Sequence, residues 1–136
     1  MSYHDVFAIA GSGMAYEQLR LDAVANNLAN IHSIDTNGQP YQPLEVIGDA
    51  KSMSFSDHFA GGVTNMAIVS NNSSPKMVYE PNNPHANAQG LVAYPNVNKV
   101  DEMMTMMAAK RAYEADVKVI NIAKTMALKA LEIGDK

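Results

Sequence analysis

The chain has 136 residues, 47% of them apolar, and a formal net charge of −4. That length holds one domain with a real core but not two full-sized ones, and that composition argues against wholesale disorder. The acidic balance, with no Lys/Arg cluster to override it, repels nucleic acid, and the absence of cysteine excludes disulfides and thiolate zinc sites.

The opening residues MSYHDVFAIAGSGMAYEQLR lack the basic start and long apolar core of a secretory signal. No stretch approaches the roughly 18 apolar residues that cross a bilayer, so direct membrane insertion is not expected. A cytosolic protein fits this, and so does one exported without signal cleavage. Ser2 is placed to cap a helix running from about Tyr3 to Ile31, with Asp5 in its first turn near the positive end of the helix dipole. Phe7, Met14, Leu21 and Leu28 recur every seven residues, and Ala10 and Val24 fall on the interleaved positions. This spacing predicts a coiled-coil seam of about four heptads, interrupted by Glu17. Gly11 and Gly13 each weaken the helix by up to about 1 kcal/mol, but they let another backbone come close.

The end of this helix, AVANNLANI at residues 23–31, is uncharged and holds three asparagines, which are poor helix formers. Leu21, Val24, Ala25 and Leu28 share one side of it, with Asn26 and Asn30 opposite. Lys or Glu would suit a solvated face better. Small residues with amides suit a second protein contact, in which carboxamides bond to a neighbouring backbone. A fraying helix end rich in capping residues is the other reading.

The middle, from about His32 to Asn98, holds all six prolines and most of the glycines. TNGQP, NNSSP and EPNNPHANAQG are turn signals. Between them lie short strand candidates at Leu44–Ile47, Gly62–Val69, Lys76–Tyr79 and Leu91–Tyr94, which predict a small, irregular β-rich region.

A second long helix is predicted from about Val100 to Ile133, capped by Asn98, with Asp101 and Glu102 in its first turn and Gly134 as its stop. Met106, Tyr113, Ile120 and Ala127 form one apolar row, with Met103, Val117 and Leu131 beside it. Val119, Ile122, Met126 and Ile133 form another. Residues 100–133 would span about 51 Å as a helix. A compact chain of this length has a radius of gyration of about 14 Å, hence a diameter of roughly 37 Å. The helix outreaches the globule that should contain it. An elongated pair of terminal helices fits better: mainly α, pairing as an antiparallel coiled coil, with a small β-rich insert. Phe7, Met14, Leu21, Val24 and Leu28 would pair with Met106, Tyr113, Ile120 and Ala127. The second row would then stay in water, forfeiting about 1.5–3 kcal/mol per large side chain unless other chains cover it. Asn26, Asn30, Val119, Ile122 and Met126 are the candidate contacts between subunits. The ten methionines, against three phenylalanines and no tryptophan, read either as adaptable core filler or as a surface meeting several differently shaped neighbours.

No catalytic constellation emerges. Gly11–Ser12–Gly13 has neither a preceding strand nor the lysine of a phosphate-cradling loop, and Ser12 lacks a nucleophile elbow. His4, His32, His58 and His85 are scattered without ligand spacing. Asp101 with Glu102, and Glu80 alone, read as helix-start and loop charges rather than an acid/base pair. No cofactor, metal or small-molecule substrate is expected.

AGSGMAYEQLRLDAVANNLAN resembles the N-terminal signature of the flagellar axial proteins, the rod, hook and hook-associated subunits, with the ANNLAN core at Ala25–Asn30 as its most specific part. The longer members usually place Thr-x-Gly-aromatic directly after that core. Here IHSIDTNGQPYQP follows, and later VYEPNNPHANAQGLVAYPNVNKVDEMMTMMAAKRAYEADVKVINIAKTMALKALEIG, both similar to the short rod proteins of the basal body. Gln42 stands where a basic residue is common, residues 48–61 carry no familiar pattern, and the Met-rich run at 103–107 is heavier than usual. The resemblance implies a structural subunit of the proximal rod, which crosses the periplasm and transmits torque. It also implies export through the flagellar type III apparatus without signal cleavage, other rod proteins and further copies of the chain as partners, and terminal helices that form the inner tube of a helical assembly. It divides the chain into residues 1–31 plus 100–136 as the helical inner part and 32–99 as the β-rich part. A helical adaptor or export chaperone of a secretion system is the alternative that the two helices alone would suit.

Overall fold

A computed structural model of the chain describes residues 2–50 and 62–135. Helix α1 spans Tyr3–Ala29 and helix α2 spans Lys99–Gly134. Ser2 caps α1 reciprocally. Its hydroxyl oxygen accepts from the Asp5 amide (3.3 Å), while the Asp5 carboxylate accepts from the Ser2 amide (2.7 Å). The bond from the Ser2 backbone holds the Asp5 carboxyl below its ordinary range. Asn98 caps α2, its side-chain oxygen accepting from the amides of Val100 and Asp101.

Both helices end differently from the expectation. α1 stops two residues before Ile31, because Asn30 leaves helical geometry and takes Ser33 into a turn through both its backbone carbonyl and its side-chain oxygen. α2 runs through Gly134 and is capped at Asp135, so the glycine is the last helical residue rather than a left-handed stop.

Among the described residues four strands lie between the helices: β1 (Leu44–Ala50), β2 (Val63–Ser70), β3 (Lys76–Tyr79) and β4 (Leu91–Tyr94). They form two separate antiparallel ribbons, β1–β2 and β3–β4. In the first, Ile47 pairs with Ala67 and Asp49 with Thr64, so Asn65 and Met66 together oppose Gly48. Asn65 takes the left-handed conformation (φ 53°) that this bulge requires and that asparagine tolerates. Across from it, a Cβ at Gly48 would lie 2.9 Å from the Tyr16 ring, so glycine lets β1 pass close over α1. His58, one of the scattered histidines, lies outside the described residues.

α1 packs against α2, β1 and β2. Asn27 meets Glu102, a Cβ on Gly13 would meet Asp116, and Tyr3 and Val6 share a groove with Ile122 and Met126. The two helices therefore run antiparallel. At Gly13 the approach is tight, since an added Cβ would sit 2.6 Å from the Asp116 carboxylate. On this register the last two turns of α2, residues 127–134, reach about 12 Å beyond the start of α1.

The buried apolar set among the described residues is small: Ala10, Ala23 and Val24 on α1, Ala109 and Ala123 on α2, and Val92 on β4. The chain exposes 9316 Å². A compact protein of its mass exposes about 6,900 Å². Fifteen large apolar side chains among the described residues are exposed, six of them methionine or isoleucine on α2.

Candidate assembly surface

The polar centre of the fold is Asn27, only 2% exposed. Its Oδ1 accepts from the Leu44 amide (2.8 Å) and the Tyr41 hydroxyl (3.0 Å). Its Nδ2 donates to the Leu44 carbonyl (2.8 Å) and the Glu102 carboxylate (3.2 Å). Both donor hydrogens and two acceptor positions of the carboxamide are used. One side chain thus fastens α1, the start of β1 and the first turn of α2. The sequence reading missed it. The signal was its spacing, three residues after Val24 and one before Leu28, which puts it on the inner side of the helix while Asn26 and Asn30 point away.

Asn26 and Asn30 turn back on their own helix. Each Nδ2 donates to the carbonyl four residues earlier, Asp22 and Asn26 respectively, at 2.9 Å. Asn26 is exposed and Asn30 half-buried.

Glu17, expected to interrupt the helical seam, sits within it at 8% exposure. Arg20, one turn on, bonds both carboxylate oxygens (2.9 and 3.2 Å) and lies 5.9 Å from the Tyr16 ring. The ion pair lets a carboxylate occupy a buried position on α1. Tyr16 and Arg20 line a cavity of about 500 Å³ with Glu45, Asn71 and Glu102. Burial pushes the Glu102 carboxyl up, Asp101 adds to this, and the Asn27 amide opposes it. Burial, and then the charge of Glu102, push the Tyr41 hydroxyl up.

This has a pH consequence. The folded chain holds the Glu102 proton more tightly than the unfolded one. The stability that Glu102 contributes therefore falls as pH rises through the window above the ordinary glutamate value, and returns on acidification. Glu102→Gln should raise stability at pH 7 by less than about 1 kcal/mol, since water still screens the carboxylate. It should also flatten the change in urea midpoint between pH 5 and 7. An unchanged pH profile would remove Glu102 from this account.

Among the other expected pairing residues, Val24 is buried, and Phe7, Met14, Leu21, Leu28, Met106, Tyr113, Ile120 and Ala127 are half-buried. Of the neighbours expected beside Met106–Tyr113–Ile120, Val117 is half-buried. Glu102, Ala109, Asp116 and Ala123 recur at seven-residue spacing on the side turned to α1. Met103 and Leu131 face outward.

Val119, Ile122 and Met126 are all exposed, Ile122 by 60%, and with Tyr3 and Val6 they line an apolar groove of about 210 Å³. Val100, Met103, Met104 and Met107 are exposed near the other end of α2. These side chains make α2 apolar on more than one face, a pattern that marks an interaction surface. Among the described residues no three His, Asp or Glu side chains gather as a metal set, and no helix is long and apolar enough to cross a membrane.

Comparison with known proteins addresses the same elements. Residues 7–38, covering most of α1 and the turn after it, match the family described as flagella basal body rod protein. Residues 88–133, covering β4 and nearly all of α2, match the C-terminal family of flagellar basal body rod FlgEFG proteins. The flagellar basal-body rod protein FlgC of Salmonella typhimurium is 39% identical over 98% of this chain and 99% of its own length. FlgC of Buchnera aphidicola from Acyrthosiphon pisum is 39% identical over 99% and 100%, and that of Bacillus subtilis 35% over 93% and 94%. With likeness of this level running from end to end of both partners, the chain belongs to the FlgC family of flagellar basal-body rod proteins.

Proposed function

We propose that this chain is a structural subunit of the proximal rod of the bacterial flagellar basal body, with no catalytic role. The observation that carries the reading is the exposed apolar surface of α2, on a chain whose buried aliphatic side chains among the described residues are four alanines and two valines. Such a subunit is completed by neighbours. Packing is heterologous: a patch on one subunit meets a different patch on the next, and where the rotation does not close a ring, a helical tube results. The paired terminal helices, residues 1–31 and 100–136, act as a coiled-coil inner wall, and residues 32–99 form the outer part. Asn26, Asn30, Val119, Ile122 and Met126 meet adjoining subunits, which are further copies and other rod proteins. Torque passes across the periplasm because many such contacts share it.

Assembly in that place requires export, and the flagellar type III apparatus is the proposed route, without cleavage of a signal. Deleting the coding sequence should abolish swimming, and the wild-type chain should be recovered at full length in isolated basal bodies. Normal motility of the deletion strain, or a chain confined to the cytoplasm as an export chaperone would be, refutes the reading.

A further inference from the structure

Of the chain's asparagines, only Asn37 is followed by glycine. The pair sits in a turn built around Asp35. The Asp35 carbonyl accepts from the Gly38 amide (3.1 Å), and its amide donates to the Gln39 carbonyl (2.9 Å). Its carboxylate Oδ1 accepts from the amides of Asn37 (2.8 Å) and Gln39 (2.7 Å). Ile34 and Pro40 bridge across the base of the turn. Gly38 holds a left-handed conformation (φ 78°), and a Cβ added there would lie 3.8 Å from the His85 imidazole. The Asn37 side chain itself is exposed.

An asparagine before glycine carries its own chemistry. The backbone nitrogen of the glycine, once it gives up its proton, attacks the side-chain carbonyl carbon, and no Cβ on that glycine stands in the way. Here the bond formed is from the Gly38 nitrogen to Asn37 Cγ. The bond broken is Cγ–Nδ2, and ammonia leaves with the proton. Water then opens the resulting cyclic imide at one carbonyl or the other, giving aspartate or isoaspartate at position 37. No oxidant, metal or further reactant is needed. In the folded turn, however, the hydrogen of the attacking nitrogen is held by the Asp35 carbonyl.

We infer that Asn37 is a site of spontaneous covalent conversion that the Asp35 turn holds in check. The reaction runs while the turn is open and stops when it closes, because amides bonded within structure react only through local opening. A chain kept unfolded accumulates the change, and one that has folded keeps its asparagine. The change matters to the fold. Aspartate at position 37 sets a second carboxylate beside Asp35, and isoaspartate routes the main chain through the side-chain carbon and lengthens the turn. Either loosens the segment that places Tyr41, whose amide donates to the Ser33 carbonyl (2.9 Å) and whose hydroxyl donates to Asn27 (3.0 Å).

The full-length chain, incubated in mildly alkaline buffer with and without concentrated guanidinium chloride, tests this by peptide mass spectrometry. In denaturant, position 37 should convert ahead of every other asparagine, and Gly38→Ala should suppress the conversion. In buffer, the wild-type rate should be at least about tenfold lower. Asp35→Ala keeps the Asn37–Gly38 pair but removes two of the turn's bonds. It should recover most of the denatured rate in buffer while retaining its circular dichroism. Hydrogen exchange of the Gly38 amide in the wild-type chain gives a second measure that needs no variant, with about tenfold protection expected. Equal conversion with and without denaturant, a folded Asp35→Ala chain as slow as wild type, or a Gly38 amide that exchanges as in an unstructured peptide overturns the inference.

Discussion

Asn27→Ala should cost about 3–5 kcal/mol of folding stability, because it leaves the Leu44 amide and carbonyl, the Tyr41 hydroxyl and the Glu102 carboxylate short of a partner in a half-buried setting. Domains of this size are stable by about 5–15 kcal/mol in total. Here the buried apolar set is mostly alanine, so the loss should shift the urea midpoint strongly or prevent folding. Asn27→Asp separates shape from hydrogen bonding. It keeps the acceptors for Leu44 and Tyr41 but replaces donation to Glu102 with a second negative charge. Its deficit should be largest at neutral pH. It should shrink on acidification, as the raised carboxyl values of the pair let one of them hold a proton. An Asn27→Ala chain within 0.5 kcal/mol of wild type would refute the central role of this amide, the margin being that of an ordinary surface change.

The opposite dissociation is expected at the far end of the molecule. Ile122→Asp combined with Met126→Asp alters two exposed side chains. The purified chain should keep its circular dichroism and its stability to within about 0.5 kcal/mol per site. In cells, incorporation into the rod and swimming should both be lost. A carboxylate placed where two subunits close on each other is desolvated without a partner, and two per subunit are repeated around every contact. A swimming double variant would show that this row faces solvent in the assembled rod.

How much of this was legible in the sequence differs between elements for physical reasons. The helices were legible because period, caps and charge agree: Ser2 with Asp5, and Asn98 before Asp101, announce the starts that the fold uses. β3 and β4 were legible to the residue, since Pro, Asn and Gly clusters bound them on both sides. β2 was shifted by one residue and its bulge was missed, because the left-handed turn at Asn65 answers to Gly48 on another strand. Asn27 was missed for the same kind of reason. Its partners Leu44 and Glu102 lie 17 and 75 residues away, so its spacing could place it on the inner side of the helix but could not show what it bonds there. Glu17 could have been read better. Arg20 at i+3 is a local signal that the acid carries its own counter-charge into the seam.

The alanines buried on the two helices, Ala10 and Ala23 on α1 and Ala109 and Ala123 on α2, set a mechanical property of the subunit. Short methyl side chains bring the two axes close while interlocking little, so sliding one helix along the other meets shallow ridges rather than deep knobs. The pair therefore combines stiffness against bending with compliance to small axial shear. A shaft turned under load is sheared along its wall once per revolution wherever it curves, and an alanine-faced pair can absorb that strain within each subunit before it reaches the contacts between them.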